Sequence, residues 1–182
     1  MAKLDIILGP MFAGKSTELI RRIRQLRVLG KTFTSIKPKI DDRYSNKEIV
    51  SHNNDRAFCG CYNSVNEFIT TYNCKDLHTI FIEEGQFFPD LKNGVLQLVE
   101  KLDCNVVVVG LDGDSNRNKF GEILDLIPYC DSCIKLSALC KRCNDGTLAI
   151  FSHRNSKSCK QIEVGVADYE ALCRKHYLEK NI

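Results

Sequence analysis

The chain has 182 residues, 43% of them apolar and 27% charged, with a net charge of +3. That composition can bury a core and does not suit a disordered chain, and the charge is too small to imply nucleic acid on electrostatics alone. No apolar run approaches the ~18–20 residues that a membrane-spanning helix needs. The opening MAKLDIILG lacks the shape of a signal peptide, so a cytoplasmic or similarly reducing location is expected. In that setting ten cysteines point to metal ligation or free thiols rather than a disulfide framework.

In chain order, residues 3–8 (KLDIIL) are short, apolar and followed by glycine, as in a buried strand of a parallel sheet. A helix is predicted from Ser16 to about Leu29. Leu19, Ile23 and Leu26 form its apolar stripe, and Gly30 is the expected C-cap. Arg21, Arg22, Arg24 and Arg27 fall mostly off the stripe and read as a solvated face. TFTSIK (32–37) is a second strand and DDRYS (41–45) a polar loop. A helix-like stretch near 64–72 precedes HTIFIEEG (78–85), a strand ending in two carboxylates. Another helix near 92–102 leads to the strand CNVVVVGLDGD (104–114). Strands alternating with helices predict an α/β fold with a mainly parallel sheet flanked by helices, its functional residues at the carboxyl ends of the strands. After about residue 137 the chain turns rich in cysteine and polar residues. Two domains are expected, 1–137 and 138–182.

GPMFAGKS, from Gly9 to Ser16, matches G-x-x-x-x-G-K-[ST] between a predicted strand and a predicted helix. Gly9, Pro10, Met11, Phe12, Ala13, Gly14, Lys15, Ser16 and Thr17 are therefore expected to bind ATP. The glycines let backbone N–H groups close on phosphate oxygens, and the helix N-terminus adds partial positive charge. Lys15 would reach the β- and γ-phosphates, and the Ser16 hydroxyl would ligate Mg²⁺. Such a site needs a further acid near the metal, at the end of a hydrophobic strand, and Glu83 can supply it. Adjacent strand positions face opposite ways, so Glu83 and Glu84 can divide metal binding and proton acceptance between them. Asp41 would add a carboxylate through water, and Arg43 would neutralise charge on the transferring phosphoryl group. Phe87 and Phe88, next to these acids, fit either the core or a stacking surface for a flat base.

Two CxxC pairs, Cys130/Cys133 and Cys140/Cys143, are joined by a third short-spaced pair, Cys173 and His176. Zinc takes four soft or imidazole ligands in a tetrahedron, and two such pairs supply them. Cys140, Cys143, Cys173 and His176 enclose a comfortable loop. Pairing Cys130/Cys133 with Cys140/Cys143 would be cramped, and YCDSCIKLS is itself strand-like, so Cys130 and Cys133 read as packing residues. Cys59, Cys61, Cys74, Cys104 and Cys159 read as buried or surface thiols.

GPMFAGKSTELIRR, DDRYS, EEGQFFPD, LDGD…FG and CxxC…YEALCRKHY occur in this order, and together they resemble the type II thymidine kinases from about Leu4 to Tyr177. The resemblance implies a RecA-like P-loop domain, followed by a small zinc-binding domain carrying a "lasso" loop near 151–168. It implies transfer of the ATP γ-phosphate to the 5′-hydroxyl of thymidine. Glu84 would be the general base, Arg43 would lie beside the phosphates, and Asp41 and Glu83 would lie near Mg²⁺. Met11, Phe87, Leu111, Phe120 and Tyr169 would surround the thymine ring. Ser152 and Arg154 would sit in the lasso, and Cys140, Cys143, Cys173 and His176 would hold structural Zn²⁺. A homotetramer inhibited by dTTP is implied as well, with no nucleic-acid or membrane partner. The chain departs from the family pattern at Glu83, where Asp is usual, and at Ser115, where an aromatic is usual. It is also slightly longer after Cys143 and slightly shorter in EVGVADY.

Three other readings compete, one of them a catalytically silent zinc-dependent scaffold, which the intact Lys15, Ser16 and Glu84 oppose. A P-loop ATPase with a nucleic-acid-binding zinc ribbon would want a basic, aromatic-laced stripe, which is missing. A nucleoside-monophosphate kinase would need arginines for a second phosphate, and Arg43, Arg117, Arg142 and Arg154 lie in candidate loops.

Overall fold

The computed structural model describes residues 1–41, 48–50, 56–156 and 168–180. β1 (Leu4–Leu8) runs through the glycine-rich loop into α1 (Lys15–Val28), and β2 (Phe33–Pro38) follows. A small hairpin, β3 (Glu48–Val50) and β4 (Arg56–Phe58), leads to β5 (Gly60–Tyr62) and α2 (Val65–Thr71). Then come β6 (Thr79–Ile82), α3 (Leu91–Leu96) with a wider π-type turn at its end, and β7 (Asn105–Gly110). β8 (Ser132–Lys135) completes the main sheet.

The sheet order is β5-β2-β6-β7-β1-β8, and every pairing in it is parallel. A parallel sheet of this kind is buried on both faces. On one face Leu4, Ile6, Ile80, Ile82, Val106 and Val108 pack against Val65 and Phe68 of α2, Leu91 and Val95 of α3, and Ile123 and Leu126. On the other, Ile7, Phe81, Val107 and Val109 meet Leu19, Ile20 and Ile23 of α1, with Ile49 and Ala57 from the hairpin. The predicted α/β architecture is thus the observed one.

α1 starts and ends one residue before its predicted bounds. The amides of Gly30 and Lys31 close it by donating to the carbonyls of Arg27 and Leu26 at 3.1 and 3.0 Å. Arg21, Arg24 and Arg27 are exposed, as expected, and Arg22 is half-buried in an ion pair with Asp5 at 2.7 Å. The strand predicted over 78–85 stops at Ile82, so both glutamates lie in the turn beyond it. Glu84 is left-handed (φ 51°). The strand predicted over 104–114 likewise stops at Gly110.

Past β8 the chain forms two short antiparallel pairs, β9 (Ala138–Leu139) with β10 (Leu148–Ala149), and β11 (Phe151–Arg154) with β12 (Tyr169–Leu172). α4 (Arg174–Lys180) follows. Ala138, Cys140, Ala149, Ala171, Leu172, Cys173 and Tyr177 form a small separate core. A core this small needs a staple.

Cys130 packs on the main core, as predicted. Cys133 does not pack. On β8 the half-buried positions are Ser132 and Ile134, so strand alternation turns Cys133 outward. Cys59, Cys74 and Cys104 are buried and Cys61 half-buried, while Cys159 lies outside the described residues.

Candidate active site and zinc centre

The loop between β1 and α1 is shaped by backbone that side chains rarely adopt. Gly9 has φ 150°, and a Cβ there would lie 2.6 Å from the Leu136 carbonyl oxygen. Only glycine lets the loop rest against that segment. Lys15 and Ser16 open α1, and Thr17 stands in its first turn. Lys15 is buried, and its Nζ donates to the Pro10 carbonyl at 2.7 Å, reaching back across the loop.

Ser16 Oγ donates to Glu83 Oε1 at 2.5 Å. Burial pushes the Glu83 carboxyl up to about 8; the charges of Glu84 and Asp41 add to this, while Ser16 and Lys37 oppose it. Asp41 is buried with Lys37, whose Nζ lies 3.7 Å from its Oδ2. The fold therefore gathers the three expected metal-side residues, Ser16, Asp41 and Glu83, beside the phosphate loop. Arg43 lies outside the described residues.

Glu84 Oε2 accepts from Gln86 Nε2 at 2.5 Å, and Gln86 Oε1 accepts from the Leu111 amide at 3.0 Å. Gln86 thus ties the turn after β6 to the turn after β7 and fixes the carboxylate in between. Two glycines make room for it. A Cβ at Gly110 or at Gly121 would lie 2.2 Å from Gln86 oxygens. Sequence reasoning passed over this glutamine. Its position directly after the acid was the one available signal.

Phe88 is core, 1% exposed, whereas Phe87 is half-buried and meets the Phe120 ring edge-on at 5.3 Å. Phe88 thus takes the core alternative, and Phe87 packs on Phe120. Leu111 is half-buried. On the opposite side, the Met11 amide donates to Ser152 Oγ at 2.9 Å. Arg154 stands opposite Tyr169 in the β11–β12 register, Arg154 buried and Tyr169 half-buried. A pocket of about 210 Å³ lies between the 112–119 turn and β11, and Ser152, Pro10 and Asp112 are in its lining. Met11, Phe87, Leu111, Phe120, Arg154 and Tyr169 are not in that lining. A larger groove of about 870 Å³ runs between α1 and the strand starts at Lys3, Thr79 and Asn105. It opens at the amino ends of the strands, away from the phosphate loop. The lasso segment 157–167 lies outside the described residues.

Two of the arginines considered for a second phosphate have protein partners, and Arg117 also lines the smaller pocket. Arg117 lies over the Tyr177 ring at 4.8 Å, and Arg142 is bonded to Glu170 at 3.1 Å through Nε and Nη2. Tyr177 Oη donates to the Ser115 carbonyl at 2.7 Å. The turn after β7 is thereby fastened to α4.

Cys140, Cys143, Cys173 and His176 converge, with all ligand atoms within 4.8 Å of one another. Nδ1 of His176 is 3.6, 3.3 and 3.5 Å from the sulfurs of Cys140, Cys143 and Cys173, and the Cys143 and Cys173 sulfurs are 3.7 Å apart. A tetrahedral zinc with ordinary bond lengths requires edges of ~3.5–3.8 Å. The donor set and these four separations fit that metal. Burial raises the Cys140 thiol, but the backbone amides of Cys173, Cys143 and Arg142 outweigh this and bring it down to about 6, which favours the thiolate.

A sequence profile described as thymidine kinase matches residues 2–177 of the chain. The chain belongs to the thymidine kinase family. The kinase is 38% identical to a thymidine kinase of Oryza sativa subsp. japonica over 99% of its own length and 68% of the relative. It is 40% identical to a thymidine kinase of Yaba monkey tumor virus, over 98% of its own length and 96% of the viral protein. A thymidine kinase of Bacteroides thetaiotaomicron is 36% identical over 97% of the chain and 87% of the relative. The kinase has no described helix long and apolar enough to cross a membrane.

Proposed function

We propose that the chain is an ATP:thymidine 5′-phosphotransferase that makes thymidine monophosphate, with deoxyuridine as a second acceptor, in nucleotide salvage for DNA synthesis. The observation that carries this reading is the contact of Ser16 with Glu83 beside the phosphate loop, with Glu84 oriented next to it by Gln86. Glu84 takes the proton of the 5′-hydroxyl. The 5′-oxygen forms a bond to the γ-phosphorus of ATP, and the bond from that phosphorus to the bridging oxygen of ADP breaks. Lys15 and Arg43 stabilise charge on the transferring group. Ser16, Asp41 and Glu83 would hold Mg²⁺, which when bound neutralises phosphate charge. The work is positioning and electrostatics.

A methyl group alone discriminates by only ~1–3 kcal/mol, so choice of thymine needs polar groups matched to the base edge. Ser152, Arg154 and the backbone of the 151–168 segment serve that purpose. Met11, Phe87, Leu111, Phe120 and Tyr169 form the walls. In this reading residues 1–137 bind ATP, and the zinc-bearing residues 138–182 bind the nucleoside. Zn²⁺ is structural. The family resemblance supports a cytoplasmic homotetramer inhibited by dTTP. No observation favours the nucleic-acid-binding ATPase, and the pairing of Arg142 with Glu170 weighs against a monophosphate acceptor.

The test is phosphate transfer from ATP-Mg²⁺ to four deoxynucleosides and their monophosphates. Transfer to thymidine, or to thymidine and deoxyuridine, is expected. ATP hydrolysis without an acceptor would overturn the reading.

A further inference from the structure

Glu170 is 2% exposed and lies on β12 beside Tyr169. It accepts from Arg142 Nε and Nη2 at 3.1 Å each and from Lys180 Nζ at 2.5 Å. Arg142 stands between two of the cysteine ligands, and Lys180 is the last residue of the helix that carries His176. Each half of the zinc cluster thus sends one cation to a single buried carboxylate. Lys180 Nζ also donates to Asn155 Oδ1 at 3.0 Å, and the Asn155 amide donates to the Asp168 carbonyl at 2.8 Å. One ammonium therefore holds the exit of β11 together with β12. The β11–β12 register continues the connection: Ser152 stands opposite Ala171, and its Oγ accepts from the Met11 amide of the phosphate loop.

Exposed ion pairs add little to stability, and Arg142 is half exposed. Glu170 differs because the carboxylate itself is buried. Its charge is tolerable only with these partners in place, so it enforces one arrangement of the elements that supply them. We propose that Glu170 is a positioning residue for the nucleoside. It locks the β11–β12 pair, and through Ser152 the Met11 amide, to the two zinc-bearing segments. The kinetic part of this proposal rests on the thymidine reading above.

The experiment uses the full chain with zinc bound and compares wild type with Glu170→Gln, which keeps the shape and removes the charge. Hydrogen exchange is read at the Met11 amide and across Phe151–Arg154, beside zinc content and steady-state kinetics. Zinc should stay stoichiometric. Exchange at these amides and the KM for thymidine should each rise about tenfold, the scale of one lost charge-assisted hydrogen bond. Turnover should stay within about twofold of wild type. Lys180→Met, which removes one cation, should move the same readouts less, and Glu170→Asp should restore part of the effect. Unchanged exchange in Glu170→Gln and Lys180→Met would overturn the proposal, as would exchange raised evenly over the whole chain. Raised local exchange in a protein whose wild type does not phosphorylate thymidine would leave the clamp standing and remove the kinase reading.

Discussion

Ser16 Oγ and Glu83 Oε1 lie 2.5 Å apart, and the carboxyl that accepts this hydrogen bond is buried beside two further acids, Asp41 and Glu84. Burial raises it from 4.5 to about 8, so with Mg²⁺ withheld Glu83 keeps its proton at neutral pH. The native state then binds a proton that the unfolded chain has released. Its stabilising contribution is full below pH 4.5 and is lost as the pH rises through about 8. Thermal unfolding of the zinc-loaded, Mg²⁺-free protein should show a falling melting temperature across this window. Glu83→Gln should flatten the fall, and an identical slope in that variant would remove Glu83 as its source.

Glu84 and Lys15 are expected to separate in kinetics. Glu84→Gln should lower turnover by about 10²–10⁴ while leaving thymidine affinity nearly unchanged. An equal loss of both would argue against a proton-accepting role. Lys15→Ala should abolish transfer, because Lys15 is the cation that reaches across the phosphate loop.

Cys140, Cys143, Cys173 and His176, a set that fits zinc, close a module whose own core is small. Chelation of zinc, or Cys173→Ser, should unfold residues 138–180 and abolish nucleoside binding, seen by proteolysis and calorimetry. A metal-free protein that stays folded and active would sink the assignment.

Gly121 has φ 58°, and a Cβ there would meet the Gln86 carbonyl at 2.2 Å. Gly121→Ala should cost at least ~1–3 kcal/mol from the backbone conformation alone. It should also displace Gln86, and with it Glu84, so turnover should fall together with the melting temperature. A variant that melts lower yet turns over normally would show that Gln86 does not govern Glu84.

What was legible in the sequence is local. The phosphate loop follows from a strand, a glycine-rich spacing and a helix that are contiguous, and the zinc cluster follows from two short-spaced ligand pairs. What was not legible depends on contacts between distant segments. β6 ends at Ile82 rather than after the glutamates, where Gly85 packs so closely on Val108 of β7 that a Cβ would be 2.8 Å away. Gln86 gains its role only because Gly110 and Gly121, far along the chain, leave space for it. β5 is three residues without useful periodicity, yet it forms one edge of the main sheet. Arg117 and Arg142 read only as arginines in candidate loops until the Tyr177 ring and Glu170 are placed against them.

The contact of Gly9 with the Leu136 carbonyl bears on how the chain can be divided. Composition changes at about residue 137, which invites cutting there or grafting the second half from a relative. Yet the Gly9–Ser16 loop leans on the residue just before that seam, and Ser152 beyond it accepts from the Met11 amide. A fragment ending at 137 would keep the motif and Leu136 but lose the Ser152 hydroxyl that accepts from the Met11 amide. The two halves are separable in composition but not in mechanics, so a graft that succeeds must carry a partner for the Met11 amide in place of Ser152.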